Sequence, residues 1–405
     1  MEGVNSDEKG SGDLGEETKP EEVPEPEVPV IPDVELVVDG FGFMPKTMHS
    51  PRSRSSNVFE KSRKSIKEMS NVIEGEEVKS PCASSTNIDI VRRYTWKTKN
   101  RMTVQVITYG ATITAIQVPD RKGVPDDVVA GFDTLEEYFN PRNPYFGATI
   151  GRYANIIREG TMVVRPSGRM YMLSTNKGHH HYNGGYIGFD KVNWRSYVNG
   201  NKVIMSHVSD RFHEGFPGTV MAQVSFEVTC DNTIKIEMKC TTSEPTAVNL
   251  SNAPYFNLAG HHAGCEMAYD HIFTINADKY TVTDDEGIVT ETEFYLLNII
   301  QQPLVRLLAF YGNIFHCVEI NNVKSRDTGI SMGVPQGSIL VSYGYVPLMG
   351  KQGTFYKKHG LFCLMPQNYP DAINHINFPN SVLNPGEVYI HRIQYKFGIL
   401  LGKYV

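Results

Sequence analysis

The chain has 405 residues, 40% of them hydrophobic and 10% aromatic, and a formal net charge of -6. This composition fills a sizeable core, and the length suits one large β domain with a tail as well as two average domains. No run reaches the roughly 18 apolar residues of a spanning helix, the start MEGVNSDEKG lacks the features of a signal peptide, and no basic footprint suits nucleic acid. Membrane and nucleic-acid partners are therefore not expected, and a cytoplasmic location is.

The first 40 residues carry thirteen Asp and Glu against two Lys. Within them EETKPEEVPEPEVPVIP (16 to 32) has too little apolar surface to offset its ordering entropy by burial. From Ser50 to Glu68 the sign reverses, with Arg52, Arg54, Lys61, Arg63, Lys64 and Lys67 set among serines. Residues 1–85 thus read as a disordered tail, acidic and then serine-rich and basic, and residues 86–405 as the folded domain. The basic half reads as a solvated linker, or as a protein-docking segment whose charge phosphate on the serines would cancel.

Beyond residue 88 the pattern changes to short runs of period two punctuated by Gly, Pro, Asn and Asp. In MTVQVITYGATITAIQV, residues Val104, Val106, Tyr109, Ala111, Ile113 and Ala115 alternate on either side of a glycine, which predicts strand, turn or bulge, and strand. DTLEEYF predicts a short helix with Asp133 as N-cap and Leu135, Tyr138 and Phe139 inward. Val220 to Val228 and Ile234 to Met238, split by Asp231 and Asn232, predict a β-hairpin. YDHIFTINADKYTVT, SILVSYGYV and VYIHRIQYKFGIL predict further strands. Many strands and few helices give an all-β fold, a large antiparallel sandwich. Six scattered cysteines, Cys82, Cys230, Cys240, Cys265, Cys317 and Cys363, are expected as buried thiols rather than a disulfide frame or zinc site.

Seven stretches occur in an order that resembles the aldose 1-epimerase, or galactose mutarotase, family. They are YGATITAIQVPDRKGVPDDVVAGFDTLEEYF (109 to 139), GATIGRYANII (147 to 157), NGGYIGFDKVNW (183 to 194), EGFPGTV (214 to 220), AVNLSNAPYFNLAG (247 to 260), FCLMPQNYPDAINHINFP (362 to 379) and LNPGEVYIHRIQYKF (383 to 397). The resemblance implies a β-supersandwich with a small sugar in an open cleft. It also implies interconversion of the α and β anomers of galactose or glucose, a step of hexose metabolism, with no cofactor and no metal.

That reaction opens the pyranose ring and recloses it. One group takes the proton of the anomeric hydroxyl while another gives a proton to the ring oxygen. The resemblance puts the base, a glutamate in a Leu-Glu-Thr-Gln pattern, at Met365, and the acid, a histidine in Asn-His-Ser-Tyr-Phe-Asn-Leu, at Ala253. Neither residue can take or give a proton at neutral pH. The sugar-contacting positions are likewise altered: a histidine becomes Asn183, the arginine after Asn155 becomes Ile156, an aspartate becomes Gly312 and a glutamine becomes Ile339.

The expectation is a correctly folded pseudoenzyme that binds a sugar or another cleft ligand, or a partner through residues 1–85. The alternatives are an active epimerase on an altered sugar using relocated groups, and a scaffold acting through its tail. Candidate relocated groups are Asp371, His181, Tyr182, His261 and His262. Asp371 matches an aspartate of the family and reads first as a loop-holding residue. The run His179, His180, His181 is not expected to hold a metal, because neighbouring histidines diverge and no carboxylate is spaced to join them.

Overall fold

Period-two apolar residues form one continuous apolar face only in an extended chain, and these stretches fold as strands. The computed structural model describes residues 33–45, 89–275, 279–284, 286–295, 302–303, 314–317, 320–324, 328–333, 338–342, 344 and 346–399. Three large antiparallel sheets carry the fold. The nine-stranded sheet begins Arg195–Asn199, Lys202–Ser209, Val220–Thr229, Thr233–Thr242 and continues through Tyr389–Ile399 to Gln302–Pro303. The six-stranded sheet runs Tyr255–Phe256, Phe362–Pro366, Ser338–Ser342, Ile314–Cys317, Lys279–Thr283 and Val289–Tyr295. A five-stranded sheet spans Val34–Phe43 to Pro125–Asp127.

The predicted hairpin is present, with Val224 opposite Met238 and Phe226 opposite Ile236, and Asn232 takes the left-handed conformation at its turn. In Tyr389–Ile399 the residues His391, Ile393, Tyr395 and Phe397 are buried while Ile390, Arg392, Gln394 and Lys396 are exposed. Residues from all three sheets meet in one large core that includes Trp96, Val104, Phe226, Ile236, Phe256, Phe362 and Tyr395. A second apolar cluster gathers Phe132, Leu135, Tyr138, Phe146, Tyr255 and Tyr356. Fused rings and branched chains of this size supply the burial that holds the sheets together.

Four sequence expectations need correction. Val34–Phe43 lies in the segment read as tail, yet it pairs with Ile90–Thr98, placing Leu36 opposite Trp96 and Val38 opposite Tyr94. Val34 and Leu36 pack on the large core, and Phe41 meets Tyr138 edge-to-face at 6.1 Å. The strand was masked in sequence by its Pro- and Glu-rich neighbour and by exposed Val37 and Val38, which blur the alternation. Residues 1–32 and 46–85 of that segment lie outside the described residues.

The short helix is Leu135–Tyr138 with Thr134, not Asp133, as its N-cap, because Glu137 reaches back to accept the Thr134 N–H at 3.0 Å; this is the geometry of a capping box. Leu135 and Tyr138 are buried, and Phe139 is half-buried. A second helix, Gly264–Tyr269, was not foreseen. Cys240 and Cys363 are buried as expected, whereas Cys230 is exposed and Cys265 half-buried; Cys82 and Cys317 fall where no side chain is described. Among the described residues no helix is long and apolar enough to cross a membrane.

Candidate active site

The strand Phe362–Pro366 is buried on both faces. Its side chains alternate between two environments: Phe362 and Leu364 enter the large core, while Cys363 and Met365 enter the second cluster. Met365 is 7% exposed. Ile339, on the neighbouring strand, stands directly opposite Met365 in the ladder. The strand ends at Pro366, whose carbonyl accepts Ser251 Oγ at 2.7 Å and His391 Nε2 at 3.1 Å. Burial lowers the His391 pKa, so a neutral ring donates that bond. Gly312 lies outside the described residues.

Ala253 belongs to the same apolar cluster as Met365 and is 1% exposed. Its carbonyl accepts the Gly147 N–H at 2.8 Å, and its own N–H donates to Ala148 O at 3.0 Å. Gly147 can make this approach because it has φ +67° and no side chain; a Cβ would lie 1.8 Å from Ile113 O. Asn252 Nδ2 pins the same turn by donating to Gly147 O at 2.9 Å and Ala148 O at 3.2 Å. The two positions to which the resemblance assigns acid and base thus share an apolar cluster, and neither offers a titratable atom.

The remaining positions converge on an adjoining wall. The two-residue strand Ile156–Ile157 pairs with His181–Tyr182. Asn155 N–H donates to Asn183 Oδ1 at 2.8 Å, and Asn183 N–H donates to Asn155 O at 3.0 Å. Ile156 is 1% exposed, and its carbonyl accepts the Asp371 N–H at 3.1 Å. Asn249 ties this wall to the loop after Met365: its carbonyl accepts Ala154 N–H at 2.7 Å, and its Oδ1 accepts Asn368 N–H at 2.9 Å.

The proposed substitutes are committed elsewhere. Asp371 is 1% exposed, and its Oδ1 accepts from Arg158 N–H at 3.2 Å and Asn374 Nδ2 at 2.7 Å, while Oδ2 lies 3.2 Å from His375 Nε2. Burial raises its pKa, and all three partners hold the loop. His181 is fully buried, with Nδ1 2.8 Å from Ser174 O. A carbonyl only accepts, so the ring proton sits on Nδ1. Burial lowers its pKa to about 4, leaving Nε2 without a proton to give at neutral pH. Tyr182 is half-buried beneath the Lys177 ammonium, 4.5 Å from the ring centroid. His261 bonds Tyr356 Oη through Nδ1 at 3.2 Å, and His262 sits 3.8 Å from Asp126.

The expected divergence of neighbouring histidines is corrected. His179 and His180 Nε2 atoms lie 3.6 Å and 3.1 Å from the two oxygens of Glu286, a carboxylate too distant in sequence to be read from spacing. His180 Nδ1 accepts the Glu159 N–H at 3.0 Å, so its proton is on Nε2 and points at Glu286. That tautomer makes a hydrogen bond where a metal ligand would need a lone pair. Gln367, two residues past Met365, was also missed: it is 1% exposed with neither amide atom partnered among the described residues.

A sequence model of the aldose 1-epimerase family matches residues 92–396. Galactose mutarotase from Rattus norvegicus is 36% identical over 323 residues, covering 74% of this chain and 92% of that protein. The Homo sapiens galactose mutarotase is 37% identical over 319 residues, 73% and 91% of the two chains. An aldose epimerase homologue from C. elegans has a TM-score of 0.70 at 24% identity, covering 75% of this chain and 97% of that one, and shares the fold. The chain therefore belongs to the aldose 1-epimerase family.

Proposed function

We propose that this chain keeps the mutarotase scaffold but does not exchange sugar anomers, and that its role is binding. The observation that carries the reading is the burial of Ala253 and Met365, 1% and 7% exposed, in one apolar cluster. A methyl group and a thioether stand where the family resemblance asks for a proton donor and a proton acceptor. Each such group typically contributes 10²- to 10⁴-fold, so losing both removes most of an enzymatic acceleration.

The relocated-group alternative finds little support. Asp371 is occupied by Arg158, Asn374 and His375, and His181 carries its proton on the nitrogen turned toward Ser174 O. Sugar affinity is expected to be weak as well, because hydroxyls are held by convergent hydrogen bonds and a lost bond to a charged group costs about 1.5 to 3 kcal/mol. Polarimetry of freshly dissolved α-galactose and α-glucose tests the reading: the optical rotation drifts at the buffer rate with protein present. A drift accelerated in proportion to protein concentration overturns it.

A further inference from the structure

Outside this site a cavity of about 210 Å³ opens between the strand Thr161–Val164 and the loop after Asp371. Its lining is mostly hydrocarbon, from Val163, Ala372, Ile373, Ile376, Phe378 and Val382, and the polar members are Arg165, His375 and Asn380. None of the positions implied for sugar contact or catalysis lines it. Asp371 separates the two regions, its N–H bound to Ile156 O and its carboxylate facing His375.

The cavity walls are fixed from several sides. Ile373 belongs to an apolar cluster with Ile157, Met162 and Val164, and Phe378 stacks on Tyr369 at 4.6 Å with an interplanar angle of 14°. The mouth is different in character: Ile376 is 77% exposed, a large hydrocarbon side chain held in water at the rim. Arg165 is also exposed. Its Nη2 donates to Asn374 O at 3.4 Å, and among the described residues its guanidinium is in no ion pair. Of the two basic groups at the cavity, His375 is thus turned to Asp371 and Arg165 is the one open to an incoming anion.

We propose that this cavity binds a small amphipathic carboxylate, a hydrocarbon body of about six carbons whose carboxylate is met by Arg165. Size follows from comparison, since an apolar cavity of about 150 Å³ accommodates benzene. The apolar lining favours a hydrocarbon body by removing it from water. The planar guanidinium with its parallel N–H donors matches a carboxylate, and the Asn380 amide offers a further polar contact. A hexose is a poor match, because this lining presents hydrocarbon to most of the ligand surface.

The test is calorimetric titration of the full chain with hexanoate at neutral pH, alongside hexanol and galactose. Hexanoate binds saturably, and Arg165→Gln weakens it about tenfold or more while leaving hexanol binding unchanged. Val163→Phe fills the cavity and abolishes binding of both; cooperative thermal unfolding confirms that this variant is folded. Ile376→Ser, at a position 77% exposed, weakens hexanoate and hexanol alike. Absence of saturation, an Arg165→Gln affinity equal to that of the parent, or competition by galactose overturns the proposal. Because mutarotation does not enter any of these readouts, the site stands or falls separately from the proposed loss of catalysis.

Discussion

Asn155 and Asn183 hold each other in place: the Asn183 carboxamide oxygen accepts the Asn155 N–H at 2.8 Å, and the Asn183 N–H donates to the Asn155 carbonyl at 3.0 Å. Both have positive φ, 70° and 48°, a region asparagine tolerates better than most residues. The pair is a backbone clamp at two positions to which the family resemblance assigns sugar contact. Asn183→Ala removes the bond and places a Cβ residue with no compensating side chain in the left-handed region, so it costs about 2 to 4 kcal/mol. Asn183→Gly costs less, since only the hydrogen bond is lost. Urea unfolding of the two variants checks the order.

Met365→Glu returns a carboxyl group to a position that is 7% exposed and surrounded by apolar side chains. Burial raises a carboxyl pKa, so the stability of this variant is greatest below the ordinary Glu range and falls as pH rises through the raised folded value. A deficit of about 3 kcal/mol at pH 8 that shrinks toward pH 4 is expected. Met365→Gln shows no such slope beyond that of the parent. Unfolding free energies of parent and both variants at several pH values decide it.

His271 predicts an acid-sensitive step of its own. Its Nδ1 lies 2.9 Å from Ala268 O, and its Nε2 accepts the Leu258 N–H at 2.9 Å; both nitrogens are used by the neutral ring. Burial lowers its pKa to about 4. The unfolded chain takes up a proton near pH 6.5 while the folded one does not, so this stability is present above about pH 6.5 and lost on descent toward pH 4. Between pH 7 and pH 5 the loss from this residue is about 1 to 2 kcal/mol. In His271→Gln the drop over that interval is smaller by that amount, measured against the parent by chemical denaturation.

The strand Val34–Phe43 supplies a further prediction. It pairs along its length with Ile90–Thr98 and packs Val34 and Leu36 on the large core. Removing residues 1–85 strips that edge and lowers stability by more than about 2 kcal/mol, given the burial lost by two aliphatic side chains and a full ladder. Removing residues 1–32 leaves the strand in place and the unfolding midpoint unchanged.

How far the sequence could be read depended on how local each determinant is. The hairpin centred on Asp231 and Asn232 was legible because its alternation and its turn sit within two dozen residues. Val34–Phe43 was not, since only the distant partner strand gives its weak alternation meaning. Met365 and Ala253 were legible through the family pattern around them, but their sharing of one apolar cluster needed the fold. Glu286 beside His179 and His180 was invisible for the same reason, since the fold brings two turns far apart in sequence into side-chain contact. The capping of the Leu135–Tyr138 helix turned on Glu137 Oε2, which accepts the N–H groups of both Asp133 and Thr134 at 3.2 and 3.0 Å, and residue types alone left open which of the two is the N-cap.

The proposed absence of anomer exchange rests on the loss of proton transfer at Ala253 and Met365. Magnetization-exchange NMR between the anomeric protons of α- and β-galactose measures the interconversion at equilibrium. The expected exchange rate equals that in protein-free buffer at any protein concentration. A rate that rises linearly with added chain, and vanishes when the chain is unfolded, contradicts it.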